Sequence, residues 1–395
     1  MALLSEMFSP NMGYLENIFP KYLARLGVEV HVVAMDLPTQ YRSKGGEGLP
    51  AGTVQETEGY TLHILGHRKV AGYMRMKGLE EKLSAIRPDI VQTIEAIGWV
   101  PLDAAYIKLL RGYKLFTGSH FHASIFPLAN KDLSWWNHER LVCTLTRATP
   151  GRLVGLVTEK CYTIAEDCAD IAVRFFGVPE KKTVICPLGV DTELFRPASG
   201  EGERLERDGL REKLGFLESD IVCIYTGRLN DDKNPLLLAQ AIAELQRRGE
   251  RFRGLFLGDG TQLDAIRAQA GCVTHPFVPV QELAGFYRAT EIGVWPAQES
   301  MSMLDAAACG LPIVVNDTIS VAERTEGNGL LYKLNDLQDL VRVLLELRDP
   351  GVRRRLGSAG ASKMARDFSW DSVARRRLND YQAALRGNHA NEPSC

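Results

Sequence analysis

The stretch that decides the fold is IVCIYTGRLNDDKNPLLLAQAIAELQRRG (221–249), in which an apolar run, a polar loop and a helical pattern follow one another. Its uniformly apolar start is typical of a strand that is buried on both faces of a parallel sheet. A helix is predicted over Pro235–Arg248, with Asn234 as N-cap, Pro235 at the first helical position and Gly249 just beyond the end. The segment therefore predicts one strand–loop–helix unit of an α/β fold.

Similar apolar runs alternate with helical patterns along nearly the whole chain. The predicted strands are Val28–Ala34, Asp89–Ile94, Lys114–Thr117, Tyr162–Ala165, Val184–Cys186, Asp220–Tyr225, Gly254–Leu257, Glu291–Val294 and Ile313–Val315. Such alternation predicts parallel sheets with helices on both faces. Because 395 residues are many for one core, we expect two doubly wound, Rossmann-like domains that face a central cleft.

A boundary between the two domains is predicted near residues 198–212, ASGEGERLERDGLRE, because this stretch is charged and poor in apolar residues. The first domain would span 1–197, with its first helix over residues 15–26, and the second would span 198–367. The polar end, 387–395, is predicted to be disordered.

Composition excludes several classes of protein. Lys and Arg total 47 and Asp and Glu total 49, which gives a net charge of −2 and argues against a nucleic-acid clamp. No apolar stretch is long enough to span a membrane, and the N-terminus lacks the features of a secretory signal. The eight cysteines form no metal or redox spacing. We therefore expect a cytoplasmic protein with buried thiols.

The loop TGRLNDDKNP (226–235) connects a predicted strand to a predicted helix and carries two cations, Arg228 and Lys233. A guanidinium, an ammonium and the free N–H groups of a helix start are suited to a diphosphate. The alternative is a solvated loop in which these cations pair with Asp231 or Asp232.

Two further loops lie at predicted strand ends. In LGDGT (257–261), Gly258 would let the backbone approach a ligand closely, while Thr261 and Asp264 have the spacing of a capping box. The alternative for this loop is a plain tight turn.

The other loop, WPAQESMSMLDAAACGLP (295–312), places Glu299 before a short helix and Asp305 inside its first turns. We expect the carboxylates to hold sugar hydroxyls and the N–H groups of Ser300, Met301, Ser302 and Met303 to take phosphate. Capping-box spacing from Ser302 offers a structural alternative for Asp305.

These motifs, taken in order, resemble those of family 4 glycosyltransferases of the GT-B fold. The matching segments are CPLGVDTELFRP (186–197), YTGRLNDDKNPLLLAQAI (225–242), GLFLGDG (254–260), ESMSMLDAAACGLPIVV (299–315) and FSWDSVARRRLNDY (368–381). The resemblance implies that the last of these forms a helix, 368–386, which crosses back onto the first domain. It also implies transfer of a sugar from a nucleoside-diphosphate sugar.

The acidic pair departs from the family pattern. Aligned backwards from Cys309 and Gly310, Asp305 takes the place of the second acid and Ala297 stands where the first is expected. We favour a shortened loop in which Glu299 orients the donor sugar; loss of the first acid is the alternative. Asp305 also replaces the usual Glu, so its contact with the nucleotide ribose is one methylene shorter.

In the first domain, the resemblance places a histidine near the reacting sugar, and His120 in FTGSHFH (116–122) matches it. His122 would share a face with His120 if the strand continued. A metal would need a third ligand, so no metal is expected. Gly13 should let the first loop approach the phosphates, and His122 and Trp135 are candidates for acceptor contacts, with ordinary packing as the alternative.

A basic segment, 67–82, carries cations among aromatic and Met residues. It could touch an anionic membrane surface that bears a lipid-linked acceptor, or it could be the solvated face of a helix. Membrane contact would place a cytoplasmic protein at the periphery of the inner face of the membrane.

The function that follows from the resemblance is transfer of a sugar, with a UDP-sugar favoured as donor, to a hydroxyl of a glycan, a lipid-linked glycan or a small molecule. We expect retention at the anomeric carbon and no cofactor or metal. His120, Glu299, Arg228 and Lys233 would carry the reaction. The alternatives are a sugar-nucleotide epimerase or hydrolase of the same fold, or a non-catalytic scaffold that binds a nucleotide sugar.

Overall fold

The computed structural model describes residues 1–10, 12–36, 48–126, 128–129, 138–319 and 325–389. Within it the chain forms two compact units. The first unit contains Met1–Leu188 and the segment from Trp370 onward, and the second contains Gly189–Ser369. The change of unit therefore falls earlier than the boundary predicted after Pro197.

The sheet of the first unit has eight strands in the order β10-β9-β8-β7-β1-β2-β4-β3. The strands are β1 (Ala2–Leu4), β2 (His31–Met35), β3 (Val54–Thr57), β4 (Tyr60–Leu65), β7 (Ile90–Thr93), β8 (Lys114–Ser119), β9 (Thr158–Thr163) and β10 (Thr183–Ile185). All neighbours are parallel except β3 and β4, which form an antiparallel edge. This confirms the predicted doubly wound parallel sheet.

Helices cover both faces of this sheet. They are α1 (Leu15–Arg25), α2 (Leu79–Ile86), α3 (Trp99–Arg111), α4 (His138–Cys143), α5 (Thr149–Val157), α6 (Glu166–Arg174) and the C-terminal α14 (Trp370–His389). Apolar side chains of α2, α3 and α5 pack on the central strands, where Leu4, Val91 and Leu115 are fully buried. Six of the cysteines are buried and Cys272 is half-buried, as expected.

The C-terminal helix α14 is fixed to the first unit by polar as well as aromatic contacts. Asp380 accepts hydrogen bonds from Lys160 Nζ at 2.7 Å and from the Tyr162 hydroxyl at 3.0 Å. Arg377 is 1 % exposed, and its guanidinium lies 4.9 Å from the ring centroid of Phe19 and 4.6 Å from that of Tyr162. The helix ends at His389, three residues beyond its predicted end, and 390–395 lie outside the described residues.

The second unit has a sheet of six strands, all parallel, in the order β13-β12-β11-β14-β15-β16. The strands are β11 (Ile221–Thr226), β12 (Phe252–Leu257), β13 (Cys272–His275), β14 (Ile292–Trp295), β15 (Ile313–Asn316) and β16 (Gly329–Tyr332). The helices are α7 (Glu201–Lys213), α8 (Pro235–Arg247), α9 (Leu263–Arg267), α10 (Val280–Arg288), α11 (Ser302–Ala308), α12 (Leu337–Glu346) and α13 (Pro350–Asp367).

The charged stretch 198–212, which was predicted as the boundary, contains the helix α7. The buried Arg211 holds this helix to the sheet: its Nη1 lies 2.9 Å from Glu291 Oε1, and its guanidinium also donates to the carbonyls of Ala289, Leu217 and Asp220. The contacts of Arg211 therefore anchor α7 within the second unit.

The basic segment 67–82 is not one helix. Residues His67–Val70 (β5) and Tyr73–Met76 (β6) form an antiparallel hairpin, and α2 begins only at Leu79. The hairpin turns at Ala71 and Gly72, whose φ values of 49° and 85° suit a two-residue turn with both central residues in the left-handed region. The expectation of a solvated helix face across this whole segment is therefore wrong.

The start of α8 also differs from its prediction. Pro235 is the first helical residue and Gly249, with φ 81°, follows the end, as expected. Asn234 itself adopts a left-handed conformation with φ 46°, and its side chain does not cap the helix. Similarly, α9 begins at Leu263 after Gln262, so Thr261 and Asp264 form no capping box.

The loops after β11 and β12 approach each other backbone to backbone. Gly258 has φ 144°, and a Cβ atom there would lie 2.0 Å from the carbonyl oxygen of Gly227. Two hydrogen bonds join the same loops, from Gly227 N to Leu257 O and from Leu229 N to Asp259 O, each at 3.0 Å. The neighbouring loop therefore makes a close approach to Gly258, while the predicted approach of a ligand stays a prediction.

We expect Gly258→Ala to destabilise the second unit by about 1–3 kcal/mol, because the new methyl group must displace backbone atoms. Gly209 provides the matched control: it lies inside α7 with no atom near its Cβ position, and alanine there should stabilise the helix by roughly 0.5–1 kcal/mol. Differential scanning calorimetry measures both changes. An unaltered melting temperature for Gly258→Ala would contradict this packing argument.

Candidate active site at the carboxyl ends of the strands

The end of β11 organises the carboxyl edge of the second sheet. The carbonyl oxygen of Thr226 accepts hydrogen bonds from Trp295 Nε1 at 3.2 Å and from Ser302 Oγ at 3.4 Å. The Thr226 hydroxyl pairs with the Tyr287 hydroxyl at 2.8 Å. Since β11 and β14 are neighbours in the sheet, these bonds hold the loop that contains Glu299 beside the loop that contains Arg228 and Lys233.

Arg228 lies at the surface of this edge. Its side chain is 69 % exposed, and Nη2 lies 3.3 Å from Asp232 Oδ2. The alternative considered for this residue, a pair within its own loop, is therefore present in the structure. An exposed ion pair of this kind is weak, so the guanidinium can turn to another anion at little cost.

Lys233 connects the two loops directly. Its Nζ donates a hydrogen bond to the backbone carbonyl of Glu299 at 3.1 Å, rather than pairing with its neighbouring aspartates. Burial lowers the pKa of Lys233, as does the positive charge of Arg228, while Asp232 and Glu299 oppose the change. The structure thus brings together three residues that were predicted independently: Arg228, Lys233 and Glu299.

The turn before α11 uses several of the N–H groups that were expected to take phosphate. Met303 N donates to the Ser300 carbonyl at 3.3 Å, Ser302 N donates to Ser300 Oγ at 3.4 Å, and the two serine hydroxyls lie 2.6 Å apart. Met303 is 1 % exposed, so its side chain belongs to the core. Met301, which precedes the first helical residue, is half-buried.

Asp305 is not a capping-box acid, because no side chain caps α11 and the Ser302 hydroxyl donates to Thr226. Burial and the negative charge of Asp191 raise the pKa of Asp305 to about 8. Asp191 was quoted within a family motif but given no role. It is 5 % exposed and accepts the N–H groups of Glu193 and Leu194. Its position 114 residues earlier hides the pairing from local sequence patterns.

In the first unit, His120 follows β8 and is held by Glu95, which follows the adjacent β7. His120 Nδ1 lies 3.1 Å from Glu95 Oε1, and the His120 backbone N–H donates to Oε2 at 3.4 Å. His120 Nε2 is buried and has no hydrogen-bond partner among the described residues. Glu95 therefore fixes the ring and leaves Nε2 available for another group.

Glu6, which follows β1, lies at the same edge. The residue is exposed as a whole, but the surrounding protein withdraws its carboxyl from water and, with the charge of Glu95, raises the pKa of Glu6 to about 7. A Cβ at Gly98 would lie 3.0 Å from Glu6 Oε1. Sequence reasoning missed both glutamates; the signal available was their position two residues after the ends of β1 and β7.

His122 follows the end of β8 at Ser119 and contacts a different set of side chains. The ring is 5 % exposed, with Nδ1 lying 3.1 Å from Asp167 Oδ2 and 3.5 Å from Cys168 Sγ. Burial would raise the pKa of Asp167, but hydrogen bonds from His122 and the Ala123 N–H lower it to about 2. His122, Asp167 and Cys168 lie close enough together to hold a metal ion, a grouping that their sequence spacing did not reveal. The hydrogen bonds among them already account for this arrangement.

Gly13 and Trp135 are the two remaining residues that were predicted to belong to the site. Gly13 lies in the connection between β1 and α1, two residues before the helix begins. Trp135 lies outside the described residues, so its expected acceptor contact stays a prediction.

Solved structures with the same architecture define the class of protein. A glycosyltransferase from Rickettsia africae ESF-5 has a TM-score of 0.70 over 97 % of this chain and 98 % of its own, at 14 % identity. Anabaena HepE, solved with UDP, has a TM-score of 0.72 over 97 % of this chain and 99 % of its own, at 13 % identity. The fold is therefore GT-B.

Sequence comparison narrows the class to a family. Residues 20–194 match the model described as Glycosyltransferase Family 4, and residues 220–349 match the model described as Glycosyl transferases group 1. The chain belongs to glycosyltransferase family 4. It is 33 % identical over 245 residues to the D-inositol 3-phosphate glycosyltransferase of Streptomyces bingchenggensis, a match that covers 56 % of this chain and 52 % of that protein. The chain spans about half the length of the curated relatives it matches.

The environment of Asp305 predicts a dependence of stability on pH. Because its carboxyl binds a proton more tightly in the folded protein than in the unfolded chain, the folded state loses stability as pH rises from about 4 to about 8. Asp305→Asn, which cannot ionise, should raise the melting temperature more at pH 9 than at pH 5, by a difference equivalent to at least about 1 kcal/mol.

Asp264→Asn is the control for Asp305→Asn, because the side chain of Asp264 is 96 % exposed. Thermal melts of both variants at the two pH values test the prediction. An effect of Asp305→Asn that is equal at pH 5 and pH 9 would show that the carboxyl is ionised at both.

Proposed function

We propose that the protein transfers a sugar from a nucleoside-diphosphate sugar, with a UDP-sugar as the favoured donor, to an acceptor hydroxyl with retention at the anomeric carbon. In this reaction the bond between the anomeric carbon and the diphosphate oxygen breaks, a bond to the acceptor oxygen forms, and the acceptor proton leaves with the diphosphate or to water. The diphosphate gains charge as its bond breaks, and stabilising that charge is the main demand on the protein.

The observation that carries this proposal is the contact between Lys233 Nζ and the Glu299 carbonyl. It holds an ammonium beside an acidic loop at the carboxyl edge of a parallel sheet, where ligands of such folds bind. Arg228 adds a guanidinium on the same loop as Lys233. In this proposal, Arg228 and Lys233 bind the leaving diphosphate and Glu299 binds the donor sugar.

Asp305 is assigned to the nucleotide ribose. A carboxyl with a pKa of about 8 carries its proton at neutral pH and can donate a hydrogen bond as well as accept one. A ribose hydroxyl can also donate and accept a hydrogen bond. The protonated Asp305 carboxyl can therefore bind it, although Asp is shorter than the usual Glu.

Within the first unit, we assign His120, whose ring Glu95 orients and whose Nε2 has no partner among the described residues, to a sugar hydroxyl. Since Glu95 acts through His120, we regard it as a positioning residue. His122 is assigned a structural role through Asp167 rather than contact with the acceptor.

Similar proteins support the choice of substrates. Anabaena HepE has been solved with UDP and with UDP-glucose, the latter with a TM-score of 0.70 over 97 % of this chain. The similar D-inositol 3-phosphate glycosyltransferases use, by their name, a phosphorylated polyol. We therefore propose an acceptor hydroxyl on a polyol, a glycan or a lipid-linked glycan. Within the described ranges no helix is both long and apolar enough to cross a bilayer.

The assignment of the cations is tested by Arg228→Ala and Lys233→Ala. Each should lower turnover of UDP-glucose, or of the donor found by screening, by roughly 10–150-fold, since a charge-assisted contact contributes about 1.5–3 kcal/mol. Arg251→Ala is the matched control, because Arg251 is exposed and precedes β12 at the opposite edge of the same sheet. Wild-type turnover in both cation variants would refute the diphosphate assignment.

Measuring product together with donor consumption also separates transfer from the alternatives. Loss of donor without glycosylated acceptor would indicate hydrolysis or epimerisation, and binding without turnover would indicate a scaffold.

We also propose that transfer needs no metal ion, because Arg228 and Lys233 supply the positive charge. Activity should persist in excess EDTA within about twofold of the untreated enzyme, a difference below about 0.5 kcal/mol. Loss of activity on chelation that Mg²⁺ or Mn²⁺ restores would contradict this expectation.

A further inference from the structure

A cavity of about 470 Å³ lies at the amino edge of the second sheet. Its lining includes Glu291 and Pro312, which directly precede β14 and β15. The loops that contain Arg228 and Glu299 follow strands at the carboxyl edge, so the cavity and the proposed donor site lie at opposite edges of one sheet. Its volume is within the range of roughly 300–1,000 Å³ that is usual for small-molecule sites.

The lining of this cavity is rich in arginine. It contains five arginines, whereas Glu291 is the only acidic residue in the described lining. The arginines come from α7, from the end of α10 and from the first turn of α13. They are Arg204, Arg207, Arg288, Arg353 and Arg354. Since cations from three elements meet in one concave place, their fields add and favour an anion there.

Glu291 does not neutralise these cations. Its carboxylate is bonded to the buried Arg211 at 2.9 Å and 3.1 Å, and it accepts the Val222 N–H at 2.8 Å. Arg207 lies farther from Glu291, at 3.5 Å, and its other acidic partner is Asp208, whose side chain is 62 % exposed. Because exposed ion pairs are weak, Arg207 can exchange Asp208 for another anion at little cost.

Arg288 also has a shared acidic partner. Its Nη1 lies 3.5 Å from Glu203 Oε1, whereas Arg196 binds the same carboxylate with two hydrogen bonds, at 2.8 Å and 3.0 Å. The Arg288 side chain is only 13 % exposed, so its guanidinium is largely shielded from water. A shielded charge needs close partners, and an anion in the cavity would supply one.

The remaining three arginines have no acidic partner at close range. Among the residues that the structure describes, Arg204 and Arg354 form no ion pair, and both are exposed. Arg353 Nη1 donates to the carbonyls of Leu347 at 2.6 Å and Arg348 at 2.8 Å. These bonds fix the guanidinium without neutralising its charge, and burial lowers the pKa of Arg353.

The rest of the lining is mostly apolar and includes Pro197, Leu311, Pro312 and Pro350. Guanidinium groups bind phosphate through paired N–H bonds, and an apolar wall can contact the uncharged part of the same molecule. A bounded cavity of this volume suits a small molecule rather than the extended surface of a polymer or a bilayer.

We propose that this cavity binds a phosphorylated small molecule with an uncharged body, of the kind that a sugar phosphate represents. The five arginines bind the phosphate, and the apolar wall contacts the body. None of the lining residues is assigned to the donor, so the site is separate from the proposed reaction and does not rest on it.

The test is isothermal titration calorimetry with ribose 5-phosphate and with inorganic phosphate. Because the donor loops can also bind phosphate, the full chain carries Arg228→Ala with Lys233→Ala throughout. We expect ribose 5-phosphate to bind at least about threefold more tightly than phosphate, with an affinity that falls as salt rises. Adding Arg204→Ala with Arg354→Ala should weaken its binding at least about tenfold, since charge-assisted contacts are lost.

The matched control adds Arg247→Ala with Arg267→Ala, which removes two cations outside the cavity whose side chains are 75 % and 57 % exposed. It should bind ribose 5-phosphate within about twofold of its parent. All four substituted arginines are exposed, so both variants should melt at the temperature of their parent. Equal weakening in both variants, or no binding by the parent, would overturn the proposal. Phosphate that binds as tightly as ribose 5-phosphate would also overturn it, because the cavity would then select an ion only.

Discussion

The backbone contact between Gly227 and Gly258 sets the geometry of the carboxyl edge in the second unit. With φ near 144° at both residues and no room for a Cβ at Gly258, the loops after β11 and β12 can adopt one mutual arrangement. That arrangement fixes the backbone of the first loop after Gly227, and so the backbone positions of Arg228 and Lys233. The Thr226 carbonyl then ties the loop after β14 to the same point. A constraint on two glycines thereby positions three charged side chains from two loops.

Much of the fold was predictable because its signals are local. Uniformly apolar runs such as 221–225 and 313–315 mark buried parallel strands, and Pro235 and Gly249 mark the ends of a helix within one or two residues. Most of the strands that were missed are short or half-exposed: β1 has three residues, and β3, β5, β6, β13 and β16 have four residues each and are largely half-buried or exposed. The exception is β4, which has six residues, four of them buried. In the short and half-exposed segments the neighbours in the sheet, rather than the side chains themselves, decide the structure.

The parts of the site that could not be predicted depend on partners that are distant in sequence. Asp191 acts on Asp305 across 114 positions, and Glu95 holds His120 across 25. Local spacing instead suggested capping boxes at Ser302 and Thr261, and neither forms because the hydroxyl or the helix start is committed elsewhere. Spacing rules describe what an isolated helix would do, and a tertiary hydrogen bond at full strength overrides them.

Charged residues have different surroundings at the two edges of the second sheet. This difference supports placing the reaction at the carboxyl edge. At the amino edge, the buried Arg211 pairs with the half-buried Glu291, and the two bond four further backbone groups, so they serve stability. At the carboxyl edge, Lys233 and Asp305 both have pKa values shifted towards the neutral form, and Arg228 is largely exposed. Groups whose pKa values are shifted in this way cluster at functional sites, where binding and catalysis use them. The carboxyl edge is therefore the one that we assign to the donor.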